Sequence, residues 1–281
     1  MARRFRPWTL VLVLAIHGSL RVAEACAAGA PADTAAHGSS ATAVPPAGAP
    51  SSAPPATPWQ KPHDPDLLLG AVAAGTFALA ASQDLEITRR IRESSSSPAA
   101  DDAAHAFRQL GDPVVLGVAL AGTWGAARLS HAPGLERATV RIGVSIAVPS
   151  VVCLVAKEVI GRERPNQSPD DAWKLEPFTG DPSFPSEHTT VAFAAAAALD
   201  RETTAPWVPW VAYPAAAACG WSRVHDLEHW PSDVVAGAAL GYWGGRMTDD
   251  FLRRRDARQH RLAVWIAPRR GGAVLRITGV F

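Results

Sequence analysis

Apolar residues recur along the chain in long segments that polar connectors rich in Pro, Asp and Ser separate. The six segments are Leu67–Ser82, Pro113–Leu129, Ala138–Ala156, Thr189–Leu199, Trp207–Gly220 and Val234–Gly245. Their length and their richness in Ala and Leu favour helices over strands. Pro113 and Pro231 each stand where a first helical turn would begin. The pattern predicts an all-α fold, a helical bundle of about six core helices.

The pattern is different at the start of the chain. Basic residues before the short apolar run Leu10–Ile16, followed by Ala23-Glu24-Ala25, predict a signal peptide over residues 1–25. Cleavage there would leave Cys26 at the new N-terminus, and a lipid anchor on Cys26 is an alternative. Residues 26–60 are rich in Ala, Pro and Ser and predict a disordered linker, because they can bury too little apolar surface to offset their ordering entropy. The folded domain is therefore expected over residues 61–255.

The end of the chain also departs from the helical pattern. Apolar and polar residues alternate over 262–267 and again over 273–281, on either side of a Pro- and Gly-containing stretch. Alternation with a period of two is typical of strands. Residues 256–281 are therefore expected to form a tail that carries a short β-hairpin.

Segment lengths leave open whether the bundle crosses a membrane. A span needs about 20 apolar residues, and only the first three segments approach that length. Arginines after the sixth segment would place the tail in the cytoplasm, and six spans would then put Pro58 inside as well. A cleaved signal peptide would leave Pro58 outside, so either the signal is retained or some segments do not span. We expect an exported protein, periplasmic or membrane-associated, whose site faces outside the cytoplasm.

Composition excludes two classes of protein. The 281 residues include 27 basic and 26 acidic side chains and give a formal net charge of +1, so a nucleic-acid partner, which calls for a basic excess, is not expected. Three cysteines are too few for a disulfide framework, and two of them lie inside apolar segments. The charges that remain informative are those that cluster.

Three polar clusters lie at the ends of predicted helices. They run from Lys157 to Arg164-Pro165, from Pro185-Ser186 to His188, and from Ser222-Arg223 through His229 to Asp233. Each cluster alone could be a set of ordinary helix caps and dipole partners. Together they suit a phosphate ester, because Lys157, Arg164 and Arg223 supply cations for its oxygens. The hydroxyl of Ser186 and a helix N-terminus beside it would add hydrogen-bond donors.

Two histidines can divide the chemistry of phosphate transfer. A neutral imidazole can attack phosphorus, and a protonated one can give its proton to the leaving oxygen. Asp233 follows His229 by four residues, so one helical turn brings its carboxylate to one ring nitrogen and leaves the other to attack. The clusters have no metal-ligand spacing, so no metal and no other cofactor is expected.

The three clusters resemble the signature of the type 2 phosphatidic acid phosphatase and vanadium-dependent haloperoxidase superfamily. Its pattern is Lys, six residues, Arg-Pro; then Pro-Ser-Gly-His; then Ser-Arg, five residues, His, three residues, Asp. Ten of the eleven defined positions match. The resemblance implies that His229 is the nucleophile, Asp233 its orienting partner and His188 the general acid. It also implies that Lys157, Arg164, Ser186 and Arg223 bind the oxyanion.

Glu187 departs from this pattern, because the superfamily has Gly there. Gly tolerates backbone angles that Glu does not, and a carboxylate would repel phosphate unless it is turned away or paired with a cation such as Arg162. The position is kept among the phosphate-binding residues for its backbone N–H.

These observations predict a phosphatase that hydrolyses phosphate monoesters or pyrophosphates through a phosphohistidine. Its partners would be a phosphorylated lipid at a membrane or a small phosphoester, the latter as in the soluble exported phosphatases of the superfamily. One alternative is a haloperoxidase, which would need vanadate as its cofactor. The other, motivated by Glu187, is a catalytically impaired protein that binds phosphate or lipid.

Overall fold

The computed structural model describes residues 64–94, 97–179, 181–259, 262–269 and 272–279. The helices in this part are α1 (Asp64–Glu93), α2 (Pro98–Arg108), α3 (Pro113–Leu129), α4 (Pro133–Ile160), α5 (Glu187–Glu202), α6 (Val208–His225) and α7 (Pro231–Gln259). One 3-10 turn, Gln109–Gly111, joins α2 to α3. The all-α prediction is confirmed. The predicted signal peptide and linker lie outside the described residues.

Two strands follow the last helix, β1 (Leu262–Arg269) and β2 (Gly272–Gly279), and they pair antiparallel with Leu262 opposite Gly279. The turn residues 270–271 and the flanking residues 260–261 and 280–281 lie outside the described part of the chain. The C-terminal hairpin therefore stays a prediction.

Both prolines predicted at helix starts are the first residues of their helices, Pro113 in α3 and Pro231 in α7. In α3 the carboxylate of Asp112 accepts hydrogen bonds from the backbone N–H groups of Val114 and Val115 at 2.8 and 3.0 Å. These bonds satisfy N–H groups that have no partner within the helix.

Helix α2 has no counterpart among the six predicted segments. Its sequence carries Asp101 and Asp102, and Ala104 is the residue that it buries, so no long apolar run marks it. It packs against α6. Proline at its first position and the Ser97 hydroxyl, which accepts the N–H of Ala100 at 3.2 Å, start the helix locally.

Helix α5 lies at the centre of the bundle and packs against α4, α6 and α7. The residues that it buries are mostly small, including a run of alanines from Ala194 to Ala198. Small side chains let the neighbouring helices approach closely, so that their dispersion contacts are dense.

Glycines on α7 allow close approaches of this kind. A Cβ placed on Gly237 would lie 2.5 Å from the carbonyl oxygen of Ser186, and one on Gly241 would lie 2.3 Å from that of Thr190. A Cβ on Gly245, four residues further on, would lie 3.3 Å from the carbonyl oxygen of Ala194. The glycines recur every four residues and so share one face of α7. Backbone therefore packs on backbone, which brings the N-terminal ends of α5 and α7 together.

Two helices are long and apolar enough to cross a membrane, over Leu67–Glu93 and Pro133–Ile160. Residues 98–129 would count as a third span if the bent pair of helices there, α2 with its 3-10 turn and α3, forms one broken span. The count applies to the described residues and falls below the six segments that the sequence offered as candidates.

Candidate active site

The first cluster begins on a helix and ends in a loop because a glycine separates the two. Lys157 lies in the last turn of α4, and Gly161 ends that helix with a φ of 63°. A Cβ there would also lie 2.2 Å from the carbonyl oxygen of Glu176. A residue with a side chain is excluded by both the backbone angle and the space. The chain therefore leaves the helix axis, and Arg162 and Arg164 lie in the loop beyond it.

Contacts between segments distant in sequence join the three clusters at one end of the bundle. The backbone N–H of Ser186 donates to the carbonyl oxygen of Asp233 at 3.0 Å. The indole N–H of Trp230 donates to the carbonyl oxygen of Glu163 at 2.8 Å. The second cluster thus contacts the third, and the third contacts the first.

The imidazole of His229 and the carboxylate of Asp233 lie side by side and are buried. Nδ1 of His229 is 3.6 Å from Oδ2 of Asp233, and within the described residues Nδ1 has no hydrogen-bond partner. The same Oδ2 accepts the backbone N–H of Trp230 at 2.9 Å. Burial lowers the pKa of His229 well below its usual value, and Lys157 and Arg164 lower it further. The ring is therefore neutral at physiological pH, the form that can act as a nucleophile.

The three cations predicted to bind phosphate lie at this end of the bundle. Nζ of Lys157 donates to the carbonyl oxygen of Pro182 at 2.6 Å. Arg164 forms ion pairs with Asp181, at 3.0 Å, and with Glu228. Lys157 and Arg164 therefore already contact oxygen atoms of the protein. These oxygens belong to the loop between α4 and α5 and to the turn before α7.

The carboxylate of Glu228 lies between two guanidinium groups. It contacts Arg164 directly, and its Oε2 is 3.9 Å from Arg223. Arg223 also binds Asp226 at 3.0 Å, while its Nε is buried without a partner among the described residues. An acidic side chain of the protein thus contacts the cations that the sequence assigns to phosphate.

His188 lies in the first turn of α5 and is partly exposed. Burial lowers its pKa to about 4, and the nearby guanidinium of Arg223 adds to the effect. Asp112 opposes the shift. Without a ligand His188 is therefore neutral near pH 7, whereas the sequence led us to expect a protonated ring. A bound phosphate would raise this pKa, because its negative charge favours the protonated imidazole.

Ser186 and Glu187 begin helix α5. Ser186 is the N-cap residue, and its buried Oγ accepts a hydrogen bond from the Thr189 hydroxyl at 2.9 Å. Glu187 is the first helical residue, so its backbone does not need glycine. Burial raises the pKa of its carboxyl, while Lys157 and Arg164 oppose the rise. The conformational objection to Glu187 is removed, and the objection based on its charge remains.

Arg162 does not pair with Glu187, as the sequence suggested it could, but lies buried between two other carboxylates. Its guanidinium binds Oδ2 of Asp84 at 2.7 Å and Oδ1 of Asp233 at 2.6 Å. The hydroxyl of Ser232 donates to Asp84 at 2.6 Å and accepts from Arg162 at 2.8 Å. This group could not be predicted from local sequence patterns, because 148 residues separate Asp84 from Ser232. An acidic residue just after the apolar run that ends at Ser82 was the available signal.

The described part of the chain contains no candidate metal site. There, no three or more His, Cys, Asp or Glu side chains are grouped to hold a metal ion. The expectation that neither metal nor another cofactor takes part stays a prediction.

Residues 138–254 match the model of the PAP2 superfamily. The match begins within α4 and ends within α7, so it contains all three clusters. Asp84 lies outside it.

Curated relatives of this chain are phosphatases by name. An undecaprenyl-diphosphatase of Sulfolobus acidocaldarius is 32% identical over 109 residues, which are 37% of this chain and 52% of that protein. A lipid A 1-phosphatase of Porphyromonas gingivalis is 41% identical over 70 residues, which are 22% of this chain and 16% of that protein. The chain thus spans about half or less of the length of these relatives.

A solved structure has the same fold. The transmembrane PAP2-type phosphatidylglycerolphosphate phosphatase of Bacillus subtilis aligns with a TM-score of 0.50 at 22% identity, over 67% of this chain and 94% of that one. At this identity the likeness concerns the fold alone. The family match over residues 138–254, which contain the joined clusters, confirms the resemblance drawn from the motifs.

Proposed function

We propose that this protein is a phosphatase that releases phosphate from a lipid-linked monoester or diphosphate through a phosphohistidine on His229. The observation that carries the proposal is a neutral, buried imidazole next to Asp233, in the combined field of Lys157, Arg164 and Arg223. That arrangement suits an anionic substrate and a nucleophile that must be unprotonated to react.

The reaction takes two steps. A ring nitrogen of His229 attacks phosphorus, the bond from phosphorus to the leaving oxygen breaks, and His188 gives that oxygen a proton. Asp233 stabilises the positive charge that forms on the His229 ring. Water then attacks the phosphohistidine, gives up its proton to the neutral His188, and releases phosphate with His229 restored.

Apolar surface supports a lipid-linked substrate at a membrane. On α4, Val148, Val152, Val155 and Val159 recur at helical spacing and are all exposed. An apolar groove of about 500 Å³ lies between α1 and α7, with Phe77, Val235 and Trp243 in its lining. Val235 lies near the N-terminal end of α7, the same end that carries Asp233, so an acyl or prenyl chain in this groove would extend from the end of the bundle that holds the site. A surface of this kind is typical of contact with lipid.

Alkaline quenching tests the covalent step, because phosphohistidine is stable in alkali and labile in acid. Purified full-length protein in detergent is mixed with dioleoyl phosphatidic acid, farnesyl diphosphate or p-nitrophenyl phosphate, each radiolabelled in the phosphate that is released, and is then denatured in alkali. We expect label on the wild-type protein and none on His229→Ala, with the two lipid substrates preferred over the water-soluble ester. Release of no phosphate from any of the three substrates would end the proposal.

The other two functions suggested by the sequence have less support. Nothing among the described residues favours halide oxidation, and the relatives named above are phosphatases. The impaired-protein alternative depends on the charge of Glu187, and Glu187→Gly and Glu187→Gln test it together. A large gain in turnover in both variants would show that the carboxylate inhibits, whereas unchanged turnover would remove the reason for this alternative.

A further inference from the structure

The charged group next to His229 extends beyond the residues that the proposed reaction uses. Asp233 binds in two directions: Oδ2 lies 3.6 Å from the imidazole, and Oδ1 accepts a hydrogen bond from Arg162 at 2.6 Å. Arg162 in turn binds Asp84 at 2.7 Å. The side chains of Asp84, Arg162 and Asp233 are at most 1% exposed. A carboxylate, a guanidinium and a second carboxylate therefore form a buried row that ends at the imidazole.

If Asp84 were absent, Arg162 would weaken the stabilisation that Asp233 gives to positive charge on the His229 ring. His229 becomes positive when it attacks phosphorus, and Asp233 stabilises that charge. A guanidinium in direct contact with Asp233 cancels much of its negative charge as felt at the ring. Asp84 adds a second negative charge, so the row as a whole carries one net negative charge toward the imidazole.

Asp84 is also connected to the backbone that carries Asp233. Its Oδ1 accepts the N–H of Ser232 at 2.9 Å, and its Oδ2 accepts the Ser232 hydroxyl at 2.6 Å. Ser232 directly precedes Asp233 in the first turn of α7. Arg162 is further held by the ring of Trp173, whose centroid is 4.4 Å from the guanidinium carbon. Helix α1 and the loop after α4 thus hold Asp233 from one side.

We infer that Asp84 is a positioning residue for the proposed phosphatase reaction: through Arg162 and Ser232 it fixes the carboxylate of Asp233 against His229 and balances the charge of the guanidinium. The inference rests on the proposed function. It gives a role to a residue that lies before residues 138–254, the stretch that matches the family.

A matched pair of isosteric variants tests this role. Asp84→Asn removes the charge, and Asp249→Asn makes the same change at a carboxylate that is equally buried, at 1% exposure, and that binds Arg201 and Arg253. Asp249 lies on the same helix sixteen residues after Asp233, which is about 24 Å at 1.5 Å per residue. Both changes neutralise a buried carboxylate that pairs with arginine, and one of them does so far from the imidazole.

The test compares initial rates of phosphate release by the two variants. The full-length proteins are assayed in detergent with the lipid substrate that the wild type hydrolyses best. We expect Asp84→Asn to lower kcat about tenfold or more and to leave KM within about twofold, because Asp84 acts on the attacking imidazole and not on the bound phosphate. Asp249→Asn should keep kcat within about twofold at a similar loss of thermal stability. Equal kcat values for the two variants would overturn the inference.

A second variant covers the case in which Asp84→Asn does not fold. Ser232→Ala keeps both carboxylates and the guanidinium and removes the hydroxyl that joins Asp84 to Arg162. We expect kcat to fall about threefold with KM unchanged, and an unchanged kcat would overturn the inference. Absence of phosphate release by the wild type would instead refute the proposed function, and the inference with it.

Discussion

Glu228 directly precedes the proposed nucleophile, and its carboxylate contacts Arg164 while approaching Arg223. Under the proposed function, a substrate phosphate would bind the same two guanidinium groups. The carboxylate must therefore move or share its partners when a phosphate binds, which weakens binding.

Neutralising Glu228 should strengthen phosphate binding. We expect Glu228→Gln to lower the inhibition constant of inorganic phosphate about three- to tenfold, because roughly 1 kcal/mol of competing attraction is removed. Glu176→Gln is the control, since Glu176 is exposed and pairs with Lys174 at 3.4 Å. The inhibition constant of inorganic phosphate is measured for both variants and the wild type by competition against a phosphate ester. An inhibition constant that rises in Glu228→Gln would contradict the prediction.

His188 should make the reaction faster in acid. Its pKa in the ligand-free protein is about 4, so the protonated fraction that can act as general acid grows as the pH falls from 8 toward 5. Burial and the nearby cations lower the pKa of His229 well below its usual value, which opposes protonation of the proposed nucleophile as the pH falls. We expect kcat/KM for farnesyl diphosphate to rise over the range, and to rise less in His188→Asn, which keeps only the ionisation of the substrate. The same slope in both proteins would argue against His188 as the acid.

Residue spacing shows why part of the site could be predicted from sequence. The residues of each cluster are close along the chain, so the positions of His188, His229 and Asp233 were readable as local patterns. Which oxygen Arg162 binds depends on how α1 packs against α7, and no local pattern encodes that. The pairing of Glu228 likewise appears only once the loop after α4 has folded against the turn before α7.

At the scale of the helices, α5 and α7 hold the site together by backbone contact. All six predicted segments coincide with observed helices, because apolar runs of this length have few other ways to satisfy their backbone groups. Their boundaries were less predictable: α1 continues well past Ser82 through polar residues, and α7 continues past Gly245 to Gln259. Polar residues at such helix ends do not contribute to the apolar pattern.

A single methyl group should distinguish the packed glycines from exposed ones. We expect Gly241→Ala to lower the free energy of unfolding by about 2 kcal/mol or more, because the new Cβ would meet the carbonyl oxygen of Thr190 at 2.3 Å. A Cβ on Gly75 of α1 would have no atom within 4 Å, so Gly75→Ala should raise the free energy of unfolding by up to about 1 kcal/mol through helix propensity. Thermal unfolding in detergent measures both. A Gly241→Ala protein as stable as the wild type would show that the two helices can separate without loss.

At the scale of the whole molecule, exposed apolar surface on α1, α3 and α4 bears on where the protein is located. The 18-residue apolar window of α1 has only 11% of its residues buried, and that of α4 has 28%. Side chains such as Val118 and Leu129 on α3 are largely exposed as well. Surface of this extent favours contact with lipid tails, although the sequence alone left the number of spans open.

A charge in the middle of the exposed face of α4 should weaken membrane insertion. We expect Val148→Lys to reduce the fraction of protein that resists carbonate extraction, since a central Lys costs about 2.5–3.5 kcal/mol on insertion scales. Phe178→Lys makes a comparable change at an exposed loop residue outside the candidate spans and should leave the fraction unchanged. Equal extraction of the two variants would indicate that α4 does not cross the bilayer.

The pairing of Asp84 with Arg162 has a consequence for how the protein can be divided. A fragment trimmed to residues 138–254 would keep every motif and yet leave a buried guanidinium short of one counterion, in contact with the very carboxylate that should orient the imidazole. Under the proposed function, the smallest active fragment would therefore start upstream of residue 84, and helix α1 would contribute to catalysis as well as to packing.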